Sequence, residues 1–132
     1  MAGARRIGIL TGGGDVPGMN SVIKSVVYQT TNMGIEVLGI RRGWEGLTHL
    51  DKTVSRDPKY VFPLDRANTH AIDRTGGTIL HTSRTNPSKM KRASLPKQVP
   101  AETLKRLEIA DGVYDLTTVV LDNLVHLSLI HI

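Results

Sequence analysis

The feature that most constrains this chain is a change of hydrophobic period across a glycine cluster. Arg6-Ile7-Gly8-Ile9-Leu10 is a short apolar run, and Thr11-Gly12-Gly13-Gly14-Asp15-Val16-Pro17-Gly18 follows it directly. Three consecutive glycines do not form helix interior, so this second stretch is a loop. Beyond it Met19, Val22, Ile23, Val26, Val27, Thr30 and Met33 recur at three- and four-residue steps, the mark of one helix face. Gly34 is placed to cap that helix, and Ile35-Glu36-Val37-Leu38-Gly39-Ile40 reads as a second strand. Strand, glycine loop, helix, glycine and strand make a βαβ unit, with parallel strands and a right-handed crossover. The chain has 132 residues, so one domain accommodates everything else.

After the βαβ unit the patterns are weaker. Residues 41–50 read as loop with a turn of helix, and 51–64 as irregular chain broken by Pro58 and Pro63. A short helix is expected over 68–74, stopped by Gly76-Gly77, and a third strand over Thr78-Ile79-Leu80-His81-Thr82. Residues 83–100, polar, basic and containing Pro87, Pro96 and Pro100, should be a long exposed loop. Leu104, Leu107 and Glu108 suggest a helical piece before Gly112. Leu116, Val119, Val120, Leu124 and Leu127 form an amphipathic stripe of about three turns. Residues 127–132 are strand-like, with an apolar edge left open.

Several function classes are excluded. The chain has no cysteine, hence no disulfide framework and no thiolate metal site. No run approaches the ~20 apolar residues of a membrane span, and no signal-peptide core precedes the first strand. Three tyrosines, one tryptophan and one phenylalanine are too few for a base-stacking platform, so nucleic acid is not an expected partner despite the net charge of +5. The five histidines lack paired ligand spacing and are read as non-metal residues. Charge is concentrated: Arg84, Lys89, Lys91, Arg92, Lys97, Lys105 and Arg106 face a single acid, Glu102, within one stretch. Such a run is either a solvated loop or a surface that meets phosphate groups.

A glycine loop between a strand and a helix start can bind phosphate. Backbone N–H groups approach the anion unobstructed, and the helix adds unpaired donors and its positive dipole end. The dinucleotide fingerprint counted from Gly12 fails, because Pro17 stands where its last glycine belongs. The P-loop laid from Gly13 to Gly18 also fails, because Met19-Asn20 replaces its lysine and hydroxyl residue. A bare βα turn without ligand remains open, as does Asp15 as a helix cap rather than a metal ligand.

Residues 8–20, Gly-Ile-Leu-Thr-Gly-Gly-Gly-Asp-Val-Pro-Gly-Met-Asn, closely resemble the opening of phosphofructokinases. Gly39-Ile40-Arg41-Arg42-Gly43-Trp44-Glu45-Gly46-Leu47, Thr75-Gly76-Gly77-Thr78-Ile79-Leu80, Thr82-Ser83-Arg84 and the region from Ile109-Ala110-Asp111-Gly112 to Leu124 agree in order and spacing. The resemblance runs from about Arg6 to Leu127. It implies a parallel-sheet, Rossmann-like three-layer α/β sandwich, incomplete here. It also implies phosphoryl transfer from ATP or pyrophosphate to the 1-hydroxyl of fructose 6-phosphate, with magnesium, in a cytoplasmic dimer or tetramer. A non-enzymatic nucleotide-binding or phosphate-binding module is the alternative. Carried onto this chain, Gly14 with Gly13 beside it meets the donor phosphate, Arg84 reaches the donor phosphates and the transferred group, Thr85 takes the next nucleotide-contacting position, and Trp44 lies near the nucleotide. An arginine fork holds two phosphate oxygens at once, which lysine cannot.

The effector arginines of bacterial allosteric members fall on Lys24 and Tyr28 here. The family's magnesium-binding Gly-Gly-Asp block and its catalytic aspartate have no counterpart in this chain, so no catalytic or metal residue is expected within it. Residues 128–132 depart from the family's Gly-Ile-Asp continuation. The expectation is therefore an N-terminal part of a phosphofructokinase domain over 1–127 and an aberrant or truncated tail over 128–132.

Overall fold

A computed structural model describes residues 5–14, 17–54 and 56–129. The chain runs β1 (Arg6–Leu10), α1 (Met19–Asn32), β2 (Glu36–Ile40), α2 (Trp44–His49), β3 (Val61–Leu64), α3 (Arg66–Thr69), β4 (Met90–Lys91), α4 (Ala101–Leu107), β5 (Glu108–Ala110), β6 (Val113–Tyr114) and α5 (Thr117–His126). The expected βαβ unit is present. β1 and β2 pair in parallel, with Arg6 opposite Glu36 and Leu10 opposite Ile40. Gly34, at φ +72°, takes the left-handed position after α1 that a helix ending favours.

Side chains alternate across β2 and divide the core into two layers. Val37 packs with Ile23 and Val27 of α1, together with Leu64 and Leu80. Leu38 and Ile40 pack on the other face with Leu47 and Leu50 around α2 and with Val120 and Leu127 around α5. Helix, sheet and helix layers result, as the three-layer expectation required. A third cluster of Met90, Tyr114 and Leu116 sits beneath a small antiparallel sheet ordered β4-β6-β5.

Three expectations are corrected. Residues 78–82 are not a strand. His81 has φ +57°, Leu80 accepts the Arg42 N–H, and His81 accepts the Thr11 hydroxyl, so this backbone bonds to loops rather than to a sheet. The third sheet position belongs to β3, inside the stretch expected to be irregular, and β3 runs antiparallel to β2. Pro63 is tolerated because β3 is the edge strand of the order β1-β2-β3. The helix expected at 68–74 divides into α3 and a 3-10 turn at Ile72–Arg74. Asp65 and Asn68 form a capping box that starts α3.

Residues 127–129, expected as the start of a strand, instead form a turn that closes α5. Ser128 N–H donates to Val125 O and Leu129 N–H to Leu124 O, with Ser128 at φ +59°. This is the Schellman pattern, with serine where glycine is usual. Leu129 then packs on the bare face of Gly8, where a Cβ would lie 2.8 Å from Leu129 Cδ1. Residues 130–132 lie outside the described residues. Arg6 closes the same corner. Its Nη1 donates to Leu127 O at 2.8 Å, and its Nε donates to Glu36 at 2.8 Å. Arg56 reaches the other Glu36 oxygen at 2.6 Å.

Gly46 is closely confined within α2. A Cβ there would collide with Arg41 O and lie 3.1 Å from Ile40 Cγ2. Alanine is the better helix former by about 1 kcal/mol, yet backbone cannot yield as a side-chain tip can. Gly46→Ala should therefore destabilise the chain by about 2–3 kcal/mol, read from the urea unfolding midpoint; an unchanged or raised midpoint would refute the packing. Glu36 yields a pH expectation. Burial would raise its carboxyl, but hydrogen bonds from Arg6 and Arg56 outweigh burial and hold it below the usual glutamate range. A lowered folded-state value stabilises above the unfolded value and is lost as pH falls through the folded one. Acidification below the ordinary glutamate range should thus lower the thermal midpoint less in Glu36→Gln than in the parent chain.

Candidate donor-phosphate site

Three loops meet beyond the C-terminal ends of β1 and β2, where open α/β sheets place their ligands. The meeting is built on Thr11. Its hydroxyl donates to His81 O at 2.9 Å and lies 3.0 Å from Thr78 Oγ1, which in turn accepts the Leu80 N–H at 3.1 Å. Gly13 N–H donates to Ser83 O at 3.0 Å, and Arg42 N–H to Leu80 O at 2.8 Å. Ser83 Oγ donates to Arg42 O at 2.6 Å. The residue after Arg42 must be glycine. Gly43 has φ +58° with ψ −135°, and a Cβ would stand 2.8 Å from Thr11 O.

The start of α1 is held against the same assembly. Asn20 is buried; its amide donates to Thr75 O at 3.0 Å, and its carbonyl accepts the Ile79 N–H at 2.8 Å. The N-cap is Gly18, in a left-handed conformation with no side-chain cap, and the first turn carries no acidic residue. The positive end of α1 therefore lacks a neutralising carboxylate within its first turn. Asp15, expected as a cap, lies outside the described residues.

Of the expected site residues, Gly13, Gly14, Arg84 and Thr85 come together. Gly13 is hydrogen-bonded to the residue before Arg84, and a Cβ on Gly14 would lie 3.6 Å from Arg84 Nη2. Arg84 and Thr85 line a cavity of about 430 Å³ with Arg42, Lys89, Lys91 and Ser94. Arg42 is paired with Glu45 on the cavity wall, whereas Arg84, Lys89 and Lys91 have no ion-pair partner among the described residues. The cavity therefore concentrates free cationic donors, suited to an anion with several oxygens. Trp44 is not among the residues lining it. Its half-exposed side chain lines an apolar groove with Ile7, Leu10, Leu124 and Leu129.

Lys89 and Lys91 were legible only as members of the basic run, and Gly43 only as a loop glycine. Their contribution appears when the loops meet. Lys24, at an effector-arginine position, is paired with Asp73 at 3.1 Å, and it and Arg66 approach the Tyr28 ring. His49 bonds Thr48 and Glu45 O, and His126 bonds Val54 O. Among the described residues no group of three or more His, Asp or Glu side chains could hold a metal ion.

Gly43→Ala should loosen the assembly at its centre. Exchange of the Gly13 amide proton should accelerate at least about tenfold, the counterpart of ~1.4 kcal/mol of local stability. Protection equal to that of the parent chain would show that Gly43 does not hold the glycine loop in place.

Comparison with known proteins shows the family. The phosphofructokinase family model matches residues 6–118. The pyrophosphate–fructose 6-phosphate 1-phosphotransferase of Thermotoga maritima is 44% identical over 106 residues, which is 80% of this chain and 23% of that protein. The Dictyoglomus thermophilum protein of the same name is 41% identical over 104 residues, 79% of this chain and 27% of its own length. The ATP-dependent 6-phosphofructokinase of Thermotoga petrophila is 36% identical over 115 residues, 86% of this chain and 33% of that protein. The chain thus spans about a quarter to a third of the length of these relatives. Among solved structures, the phosphofructokinase of Saccharomyces cerevisiae superposes with a TM-score of 0.55 at 28% identity, covering 63% of this chain and 10% of that one. The match extends over β1, α1, β2, the glycine loop and the segments that line the basic cavity, and the chain belongs to the phosphofructokinase family.

Proposed function

We propose that this chain is the N-terminal, donor-binding part of a 6-phosphofructokinase, which transfers a phosphoryl group from ATP to the 1-hydroxyl of fructose 6-phosphate. The sugar oxygen forms a bond to the γ-phosphorus, and the bond from that phosphorus to the β–γ bridging oxygen breaks. The hydroxyl proton passes to a base outside this chain. The observation carrying the reading is the placing of Gly14 against Arg84, which lines the basic cavity with Lys89 and Lys91, two lysines without an ion-pair partner among the described residues, within the segment that matches the family. In phosphoryl transfer the protein contributes mainly positioning and charge stabilisation, and these residues offer both. Magnesium is implied by the family resemblance and belongs to the same proposal; among the described residues no group of three or more His, Asp or Glu side chains could hold a metal ion by itself. A cytoplasmic setting and a homo-oligomer belong to the same proposal, and no helix among the described residues is long and apolar enough to cross a membrane.

A second reading replaces ATP with pyrophosphate. It is favoured by the two relatives of 41% and 44% identity, both named as pyrophosphate-dependent. The cavity chemistry serves either donor, because both present a diphosphate.

Isothermal titration of the 132-residue chain with ATP and with pyrophosphate tests the site. At least one should bind, and the tighter of the two names the donor. Arg84→Ala should weaken that binding at least about tenfold, ~1.4 kcal/mol, with Arg84→Lys recovering only part. Binding of neither donor, or binding indifferent to Arg84→Ala, would overturn the assignment. The chain alone should not convert fructose 6-phosphate, since the proton acceptor lies elsewhere.

A further inference from the structure

The basic cavity has one wall that donor binding does not explain. Ser94 ends a 3-10 turn, Arg92–Ser94, directly after β4, and its side chain lines the cavity shared by Arg84, Lys89 and Lys91. It differs from the neighbouring serines. Ser83 Oγ donates to Arg42 O and Ser88 Oγ to Asn86 Oδ1, whereas Ser94 Oγ makes no hydrogen bond among the described residues. Ser94 is exposed and has a distinctive local sequence. Lys91 and Arg92 stand three and two residues before it, and Leu95 follows. A basic pair followed by a hydroxyl and an apolar residue suits an acidic substrate groove with an apolar neighbouring pocket, the charge pattern that arginine-directed protein kinases read. The Arg92 side chain is 67% exposed; it meets Tyr114 through a side-chain hydrogen bond and Glu108 and Asp111 at 3.6 and 4.0 Å, surface contacts that a substrate groove can displace. The turn itself is closed by a long Leu95 N–H to Arg92 O bond of 3.3 Å, which is cheap to open.

We propose that Ser94 is a phosphorylation site and that its phosphoryl group folds back into the basic cavity as an internal competitor of the donor. Ser94 Oγ bonds to the γ-phosphorus of a nucleoside triphosphate, and the bond to the β–γ bridging oxygen breaks. The nucleoside diphosphate leaves, and the serine proton passes to the modifying kinase's base. The product places roughly two negative charges and three acceptor oxygens at the wall of a cavity whose free cations are Arg84, Lys89 and Lys91. The inhibitory half of this inference rests on reading the cavity as the donor-phosphate site.

The test uses the 132-residue chain with an arginine-directed serine/threonine kinase and magnesium ATP. Intact-mass measurement should show one gain of about 80 Da, located at Ser94 by fragmentation, absent in Ser94→Ala and slowed in Arg92→Ala. The phosphoserine 31P signal is then titrated with pH in the folded chain and in a phosphopeptide spanning 88–97. Seating among the cations should lower its second pKa by about one unit relative to the peptide, and Arg84→Ala should bring it back toward the peptide value. Pyrophosphate affinity should fall at least about tenfold on modification. No incorporation at Ser94 while the peptide is modified would overturn the site. A titration identical to the peptide's would overturn the seating, whether or not the unmodified chain binds pyrophosphate. Failure of the unmodified chain to bind either donor would strike the donor-site reading instead. A seated phosphoserine with unchanged pyrophosphate affinity would overturn the competition.

Discussion

Thr11 donates its only hydroxyl proton to His81 O, so the short contact to Thr78 Oγ1 requires Thr78 to donate back to Thr11. Thr78 in turn receives the Leu80 N–H. This three-link chain carries the end of β1 onto a segment more than sixty residues later, and the rest of the site hangs from it. With residues 78–83 so held, Ser83 can present its carbonyl to Gly13 and its hydroxyl to Arg42 O, and the next residue, Arg84, is delivered to the open face of Gly14. Each bond is modest alone, near 1 kcal/mol, but the links share partners and polarise one another. The consequence is geometric. A long, exposed arginine on an irregular loop is aimed without being buried.

Placing cations this way separates two demands that usually compete. A buried arginine is rigid but pays heavily for desolvation, while a free one keeps its solvation and wanders. Here the backbone on either side of Arg84 is restrained, and the guanidinium stays hydrated until an anion arrives. Lys89 and Lys91 follow the same plan. Lys91 belongs to β4, which is anchored by buried Met90 against Tyr114 and Leu116. The small sheet β4-β6-β5 thus serves chiefly to hold one basic strand against the cavity.

The parts of the fold that could be read from sequence are those where a single period dominates. The change at Met19 identifies β1, α1 and β2 because burial on one helix face and on both faces of β2 leaves a strong imprint, and β1, though only partly buried, shares the apolar composition. Residues 78–82 imitate a strand in composition, yet Thr78 uses its side chain to satisfy nearby backbone and His81 turns left-handed, a competition no period reveals. β3 escaped because Pro63 argues against a strand unless its edge position is known. The two- and three-residue strands β4, β5 and β6 are too short to carry any pattern. Only the resemblance joins Gly14 to Arg84, since the 69 residues between them hide their adjacency. Trp44 was grouped with them by the same route, but its side chain turns to the apolar groove beside Leu129.

Asn123 shows a different economy. It sits almost wholly buried between α2 and α5, its amide nitrogen donating to Leu47 O at 2.5 Å and its oxygen without a partner among the described residues. A leucine there would add cohesion and spare an unsatisfied carbonyl. It would also let α5 settle against α2 in more than one rotational setting, because apolar contacts are indifferent to small slides. A directional bond is not indifferent. It selects the seating in which Leu127 joins the core and Leu129 reaches the bare face of Gly8, so one imperfectly satisfied amide acts as an indexing pin for the whole outer helix.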